Sequence, residues 1–115
     1  MSRPGSATRH WRNQRLTAIA LVPLGLWFLV ALLRQPSLGH AVVAGWFAKP
    51  LQALLAALFG AALLWHSLQG IQVVIDDYAR GRSNAIATVV ARALHAAAAA
   101  ALAYAIWRLA QGAGA

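Results

Sequence analysis

Three stretches of this chain run too long without charge for a water-soluble fold of its size to hide. Residues 51–75 contain no Lys, Arg, Asp or Glu, residues 16–33 are uncharged between Arg15 and Arg34, and a third apolar run covers about 85–107 with Arg92 as its one charge. A helix rises ~1.5 Å per residue, so an apolar core of ~30 Å is crossed by about 20 residues. The chain has 115 residues, of which 61% are hydrophobic and 10% charged. An average soluble domain runs at roughly 45–50% and ~25%, and one small core cannot bury so much apolar surface. This excludes a soluble enzyme, a disordered chain and a disulfide-stapled secreted domain. Cysteine is absent, which removes thiolate catalysis, zinc ribbons and iron–sulfur ligation by this chain. What remains is an all-α integral membrane protein with three transmembrane helices, forming a single membrane domain.

The spans are expected at about 16–34, 50–78 and 85–108, behind a polar amino-terminal segment 1–15. Pro23 and Gly25 inside the first run predict a kink or a close helix contact. Pro50 suits the first turn of the second helix, although that helix could instead start nearer Ser37 and bend at Pro50. Trp46 and Lys49 read as interfacial anchors. Ser83 or Asn84 is expected to cap the third helix, the alanine run 96–101 to offer a smooth packing surface, and 111–115 to fray. The first run is longer than the ~7–15 residue core of a secretory signal, and no small-residue cleavage pattern follows it, so it reads as a retained span. The net charge of +8 invites a nucleic-acid reading, but the basic residues sit at the ends of the apolar runs, as membrane topology requires. Arg3, Arg9, Arg12 and Arg15 precede the first span and Arg80 and Arg82 follow the second, against Arg34 and Lys49 between the first two and Arg108 at the end. The positive-inside rule puts the amino terminus and the loop 76–84 in the cytoplasm and the carboxyl terminus outside.

The second span carries the chemistry. At ~100° per residue His66, Gly70 and Asp77 fall on one helix face, with Phe59 on the same line and Gln69, Gln72 and Asp76 to one side. Lipid cannot satisfy such a stripe, so it faces protein or a cavity. His66 needs a partner. Either a neighbouring helix supplies a Ser hydroxyl or backbone carbonyl, or the imidazole is an axial ligand of haem iron, with Gly70 one turn on leaving room for a flat macrocycle. Tyr78 beside Asp77 is either an interfacial aromatic anchor or a donor to a quinone carbonyl oxygen, oriented by the carboxylate. Twelve residues separate His66 from Tyr78, about 18 Å along the axis, so one small ligand cannot touch both. His40 reads as an outer-loop residue and His95 as a helix-packing or haem-edge residue, helix packing being favoured.

The run His66-Ser-Leu-Gln-Gly70-Ile-Gln-Val-Val-Ile-Asp-Asp77-Tyr78 resembles the signature of the small hydrophobic membrane anchor of succinate dehydrogenase, the D-type subunit of respiratory complex II. The stretch His10-Trp11-Arg12-Asn13-Gln14-Arg15-Leu16-Thr17-Ala18-Ile19 resembles that family's approach to its first helix, and the likeness extends over essentially the whole chain. It implies that His66 is one axial ligand of haem b, a C-type anchor subunit supplying the other. It further implies that Tyr78 hydrogen-bonds ubiquinone with support from Asp77, and that Arg15, and with it His10, lies near the haem propionates or quinone pocket. The partners implied are that C-type cytochrome b subunit, an iron–sulfur subunit and a flavoprotein subunit, in a bacterial inner membrane. The chain has no dinucleotide-binding glycine pattern, so succinate oxidation would belong to the other subunits. Two other readings compete: a small cytochrome b subunit of another redox complex, and a three-span pore-forming protein without haem.

Overall fold

The computed structural model describes residues 5–112, and among them every regular element is a helix: α1 Ser6–Leu33, α2 His40–Phe47, α3 Pro50–Tyr78 and α4 Gly81–Ala110. Helices α1, α3 and α4 are long and apolar enough to cross a membrane. Arg3 and residues 113–115, to which the orientation argument and the frayed tail extend, lie outside the described residues.

Two spans begin earlier than the loss of charge suggests. Helix α1 starts at Ser6, ten residues before the apolar run. His10, Asn13 and Thr17 recur at i, i+3 and i+7, so they share one face, and that face lies toward α3, where Thr17 meets His66. Helix α1 then continues through Pro23 to Leu33. Helix α4 starts at Gly81 rather than near residue 85, leaving two residues, Ala79 and Arg80, between α3 and α4. Gly81 makes this possible with φ 56°, a left-handed conformation that costs glycine little. The expected cap is not made by Ser83 or Asn84, because Arg80 holds the N-cap position without a side-chain bond. Ser83 Oγ donates to the Arg80 carbonyl at 2.7 Å, and Asn84 reaches back to α3. Between the first two spans the chain forms the separate helix α2, with exposed His40 as its first residue. Pro50 then opens α3 at its first turn, where its missing N–H costs no hydrogen bond.

Helix α3 is the centre of the layer. Both α1 and α4 pack along it, antiparallel, and do not pack on each other. Gly25 of α1 lies against the Phe59 ring, which stands 3.7 Å from where a Cβ would be. A Cβ on Gly60 would overlap Leu102 of α4, so here the two helices approach too closely for any other residue without repacking. Trp46 is more than an interfacial anchor. Its ring lies 5.6 Å from Trp27, 6.2 Å from Phe28 and 4.9 Å from Phe47, and Phe28 lies 5.3 Å from Phe59. These rings hold α2 against α1, and α1 against α3, at spacings typical of aromatic pairs. The alanine run 96–101 is exposed, with Ala98 lining a cleft beside Phe59, Gly60 and Leu64 of α3. The buried hydrophobic residues are four alanines, Ala44, Ala53, Ala56 and Ala91, with Ile106.

Candidate functional site

The antiparallel register of α1 and α3 brings Thr17 to His66. Thr17 Oγ1 lies 3.0 Å from His66 Nδ1, and also 3.0 Å from the carbonyl oxygens of Asn13 and Gln14 one turn earlier. The histidine therefore has the hydroxyl partner from a neighbouring helix that its depth demands, supplied by threonine rather than serine. Its Nε2 has no hydrogen-bond partner among the described residues. An imidazole bonded through Nδ1 with a free Nε2 has the arrangement of a metal-ligating histidine, whose second nitrogen is normally held by an outer group. Gly70 faces α1, where Gln14 Nε2 stands 3.9 Å from the position of a Cβ. The glycine thus borders a helix as well as leaving space.

His95 differs. Its Nδ1 lies 2.8 Å from the Ala91 carbonyl and its Nε2 3.1 Å from Ser67 Oγ on α3. A carbonyl only accepts, so Nδ1 carries the proton and neutral Nε2 accepts from the serine. Both nitrogens are used, Nδ1 within α4 and Nε2 in joining α4 to α3, which is a packing role.

Between the amino-terminal turns of α1 and the middle of α4, one face of α3 is left open as a cleft of about 730 Å³. Arg9, His10 and Asn13 line it from α1, Trp65, Gln69 and Gln72 from α3, and Arg92 from α4. Arg92 is exposed at the rim of this cleft. Gln69 is 7% exposed, and neither its Oε1 nor His10 Nε2 has a hydrogen-bond partner in this structure. Arg15, expected near the same pocket, is exposed outside this cleft with its guanidinium 5.0 Å from the Trp11 ring centre. His10 and Arg15 are half a helix turn apart in direction, and the structure does not bring them together.

At the end of α3, Asp76 does the local structural work. Its Oδ1 accepts from Gln72 Nε2 at 2.9 Å and from Asn84 Nδ2 at 3.0 Å, while Gln72 Nε2 also reaches Thr88 Oγ1 at 3.0 Å. The Arg80 guanidinium donates to the Asp76 carbonyl. Asp77 and Tyr78 are exposed, Tyr78 by 87%. Neither makes a side-chain hydrogen bond among the described residues, so Asp77 does not orient the Tyr78 hydroxyl here. Among the described residues no three His, Cys, Asp or Glu side chains gather as a metal-binding group. The sequence argument missed Thr17, Thr88 and Gly60. The spacing of His10, Asn13 and Thr17 was the available signal for the first.

Residues 1–107 match the family described as succinate dehydrogenase/fumarate reductase transmembrane subunit. The chain is 30% identical over 106 residues to the succinate dehydrogenase hydrophobic membrane anchor subunit of Paracoccus denitrificans, covering 92% of this chain and 82% of that protein. It is 33% identical over 73 residues to the subunit of the same name from Rickettsia bellii, covering 64% of this chain and 58% of that one. The subunit of Rickettsia prowazekii is 27% identical over 73 residues, with the same shares covered. With three membrane-length helices and a match over nearly its whole length, the chain belongs to the succinate dehydrogenase/fumarate reductase transmembrane subunit family.

Proposed function

We propose that this chain is the D-type membrane anchor of a succinate:ubiquinone oxidoreductase, helping to hold haem b and ubiquinone and docking the flavoprotein and iron–sulfur subunits to the membrane. The observation that carries the reading is His66, deep in α3, bonded through Nδ1 to Thr17 and open at Nε2. That nitrogen can hold one axial position of a haem iron. The second iron ligand would come from a partner, the C-type cytochrome b subunit. When bound, the haem would supply a one-electron store.

Tyr78 is the hydrogen-bond donor to a quinone carbonyl oxygen. Its exposure leaves the hydroxyl available to a ligand held between this chain and its partners. Asp77, also exposed and uncommitted, supports that pocket and takes part in proton delivery from the aqueous side. The Gln72–Asp76–Asn84 bonds fix the end of α3 and thereby the backbone from which both residues project. Arg80 and Arg82 support a cytoplasmic location for this end, where the soluble subunits dock and succinate is oxidised. The carboxyl terminus is periplasmic.

A reduced-minus-oxidised optical spectrum of membranes containing the assembled complex, wild type beside His66→Ala, tests this. The expected result is a b-type signal that is lost or shifted in the variant. An unchanged signal in assembled complex removes His66 from the haem site, and no signal in either leaves a haem-less anchor or the pore-forming reading.

A further inference from the structure

Thr17 has one hydroxyl proton and three neighbours at 3.0 Å: the carbonyl oxygens of Asn13 and Gln14, and His66 Nδ1. The carbonyls can only accept. If Thr17 gave its proton to His66, the imidazole N–H would sit on Nε2, which has no acceptor among the described residues. That strands a donor at membrane depth, the costlier of the two ways to leave a polar atom unpaired. If Thr17 gives its proton to a carbonyl of its own helix, its lone pair accepts Nδ1–H, and only a lone pair on Nε2 remains open. The second arrangement satisfies every donor.

We infer that Thr17 is the positioning residue of His66: it sets the Nδ1–H tautomer, fixes the ring plane, and so readies Nε2 to bind iron. The hydroxyl suits this task because it is itself held. Back-bonding to the preceding turn selects its χ1 rotamer in a helix, so the acceptor stands at a defined place. The inference rests on the haem reading of His66 and deepens it. A hydrogen bond accepted from the far nitrogen raises the basicity of the ligating one, which favours ferric over ferrous iron. The bond also makes α1 part of the site, although α1 supplies no iron ligand in this reading.

The test uses the assembled complex in membranes, comparing wild type, Thr17→Val, Thr17→Ser and His66→Ala. Three quantities are read: haem midpoint potential by redox titration, the electron paramagnetic resonance g-values of the oxidised haem, and the rate of haem loss to apomyoglobin. Thr17→Val keeps the volume and removes the acceptor. It is expected to retain haem, raise the midpoint potential, shift the g-values, and lose haem about 10–100-fold faster, the usual cost of removing such an outer partner. Thr17→Ser keeps the hydroxyl and is expected to match wild type in all three. A valine variant indistinguishable from wild type overturns the inference, and so does a serine variant displaced as far as the valine one, which would mean packing rather than hydrogen bonding. Where the valine complex does not assemble, Thr17→Cys, small and a weak acceptor, is read by the same criteria. A b-type signal unchanged in assembled His66→Ala is a separate failure: it overturns the haem reading, and the inference with it.

Discussion

His95 uses both ring nitrogens, on the Ala91 carbonyl and the Ser67 hydroxyl, whereas His66 uses one, on Thr17. That difference separates a histidine that joins two helices from one that can still bind something, and sequence alone does not display it. Depth and the Gly70 spacing single out His66, but its partner is 49 positions away on another helix. The same holds at the end of α3, where Asp76 and Asp77 are adjacent and chemically identical. Asp76 turns toward Asn84 and Gln72 and becomes structural, and Asp77 next to it stays free. The exposure of Tyr78 leads to a prediction at this scale. Tyr78→Phe keeps the ring and removes one donor worth about 1 kcal/mol as a neutral hydrogen bond. Succinate-dependent quinone reduction is expected to weaken several-fold while succinate oxidation by an artificial dye is unchanged. Unimpaired quinone reduction would remove the donor role, whereas equal loss of both activities would mean failed assembly.

Helix α3 shows what an element reveals and what it hides. Its extent was legible, because residues 50–78 begin at a proline and end where polar residues take over. The starts of α1 and α4 were not, since polar residues buried against another helix look like loop until the neighbour is known. His10, Asn13 and Thr17 were therefore left outside or at the edge of the first span. The alanine run 96–101 was expected to give the close packing, yet that contact falls at Gly60 against Leu102. A smooth surface says only that close approach is allowed, and register decides where it happens. Gly60→Leu is accordingly expected to cost about 1–3 kcal/mol through overpacking, seen as a lower Tm of the detergent-solubilised complex. Adding Leu102→Ala to it should recover part of the loss. A double variant no more stable than Gly60→Leu alone would show that Leu102 is not what the new side chain meets.

For the whole molecule, three crossings place the amino-terminal end of α1 and the α3–α4 turn on one side, with α2 and the end of α4 on the other. The class, the number of spans and this arrangement followed from the apolar runs and the placement of arginine, which are additive properties of the chain. The layered packing did not, because it depends on which faces meet. The absence of cysteine makes the topology simple to measure. Ser83→Cys is expected to react with a membrane-impermeant maleimide only from the cytoplasmic side, and Ser37→Cys only from the periplasmic side. The reverse pattern would invert the assignment and put Tyr78 away from the soluble subunits.

Helices α1 and α4 both pack on α3 and not on each other, the few buried side chains among the described residues are mostly alanine, and large hydrophobic residues on all three helices stay exposed, so the helices keep broad apolar faces open. A subunit built this way draws its stability by mass action from whatever covers those faces. Its steady-state amount in the membrane then follows the scarcer of itself and its neighbour, so that subunit ratio is regulated by packing, with no need for matched rates of synthesis.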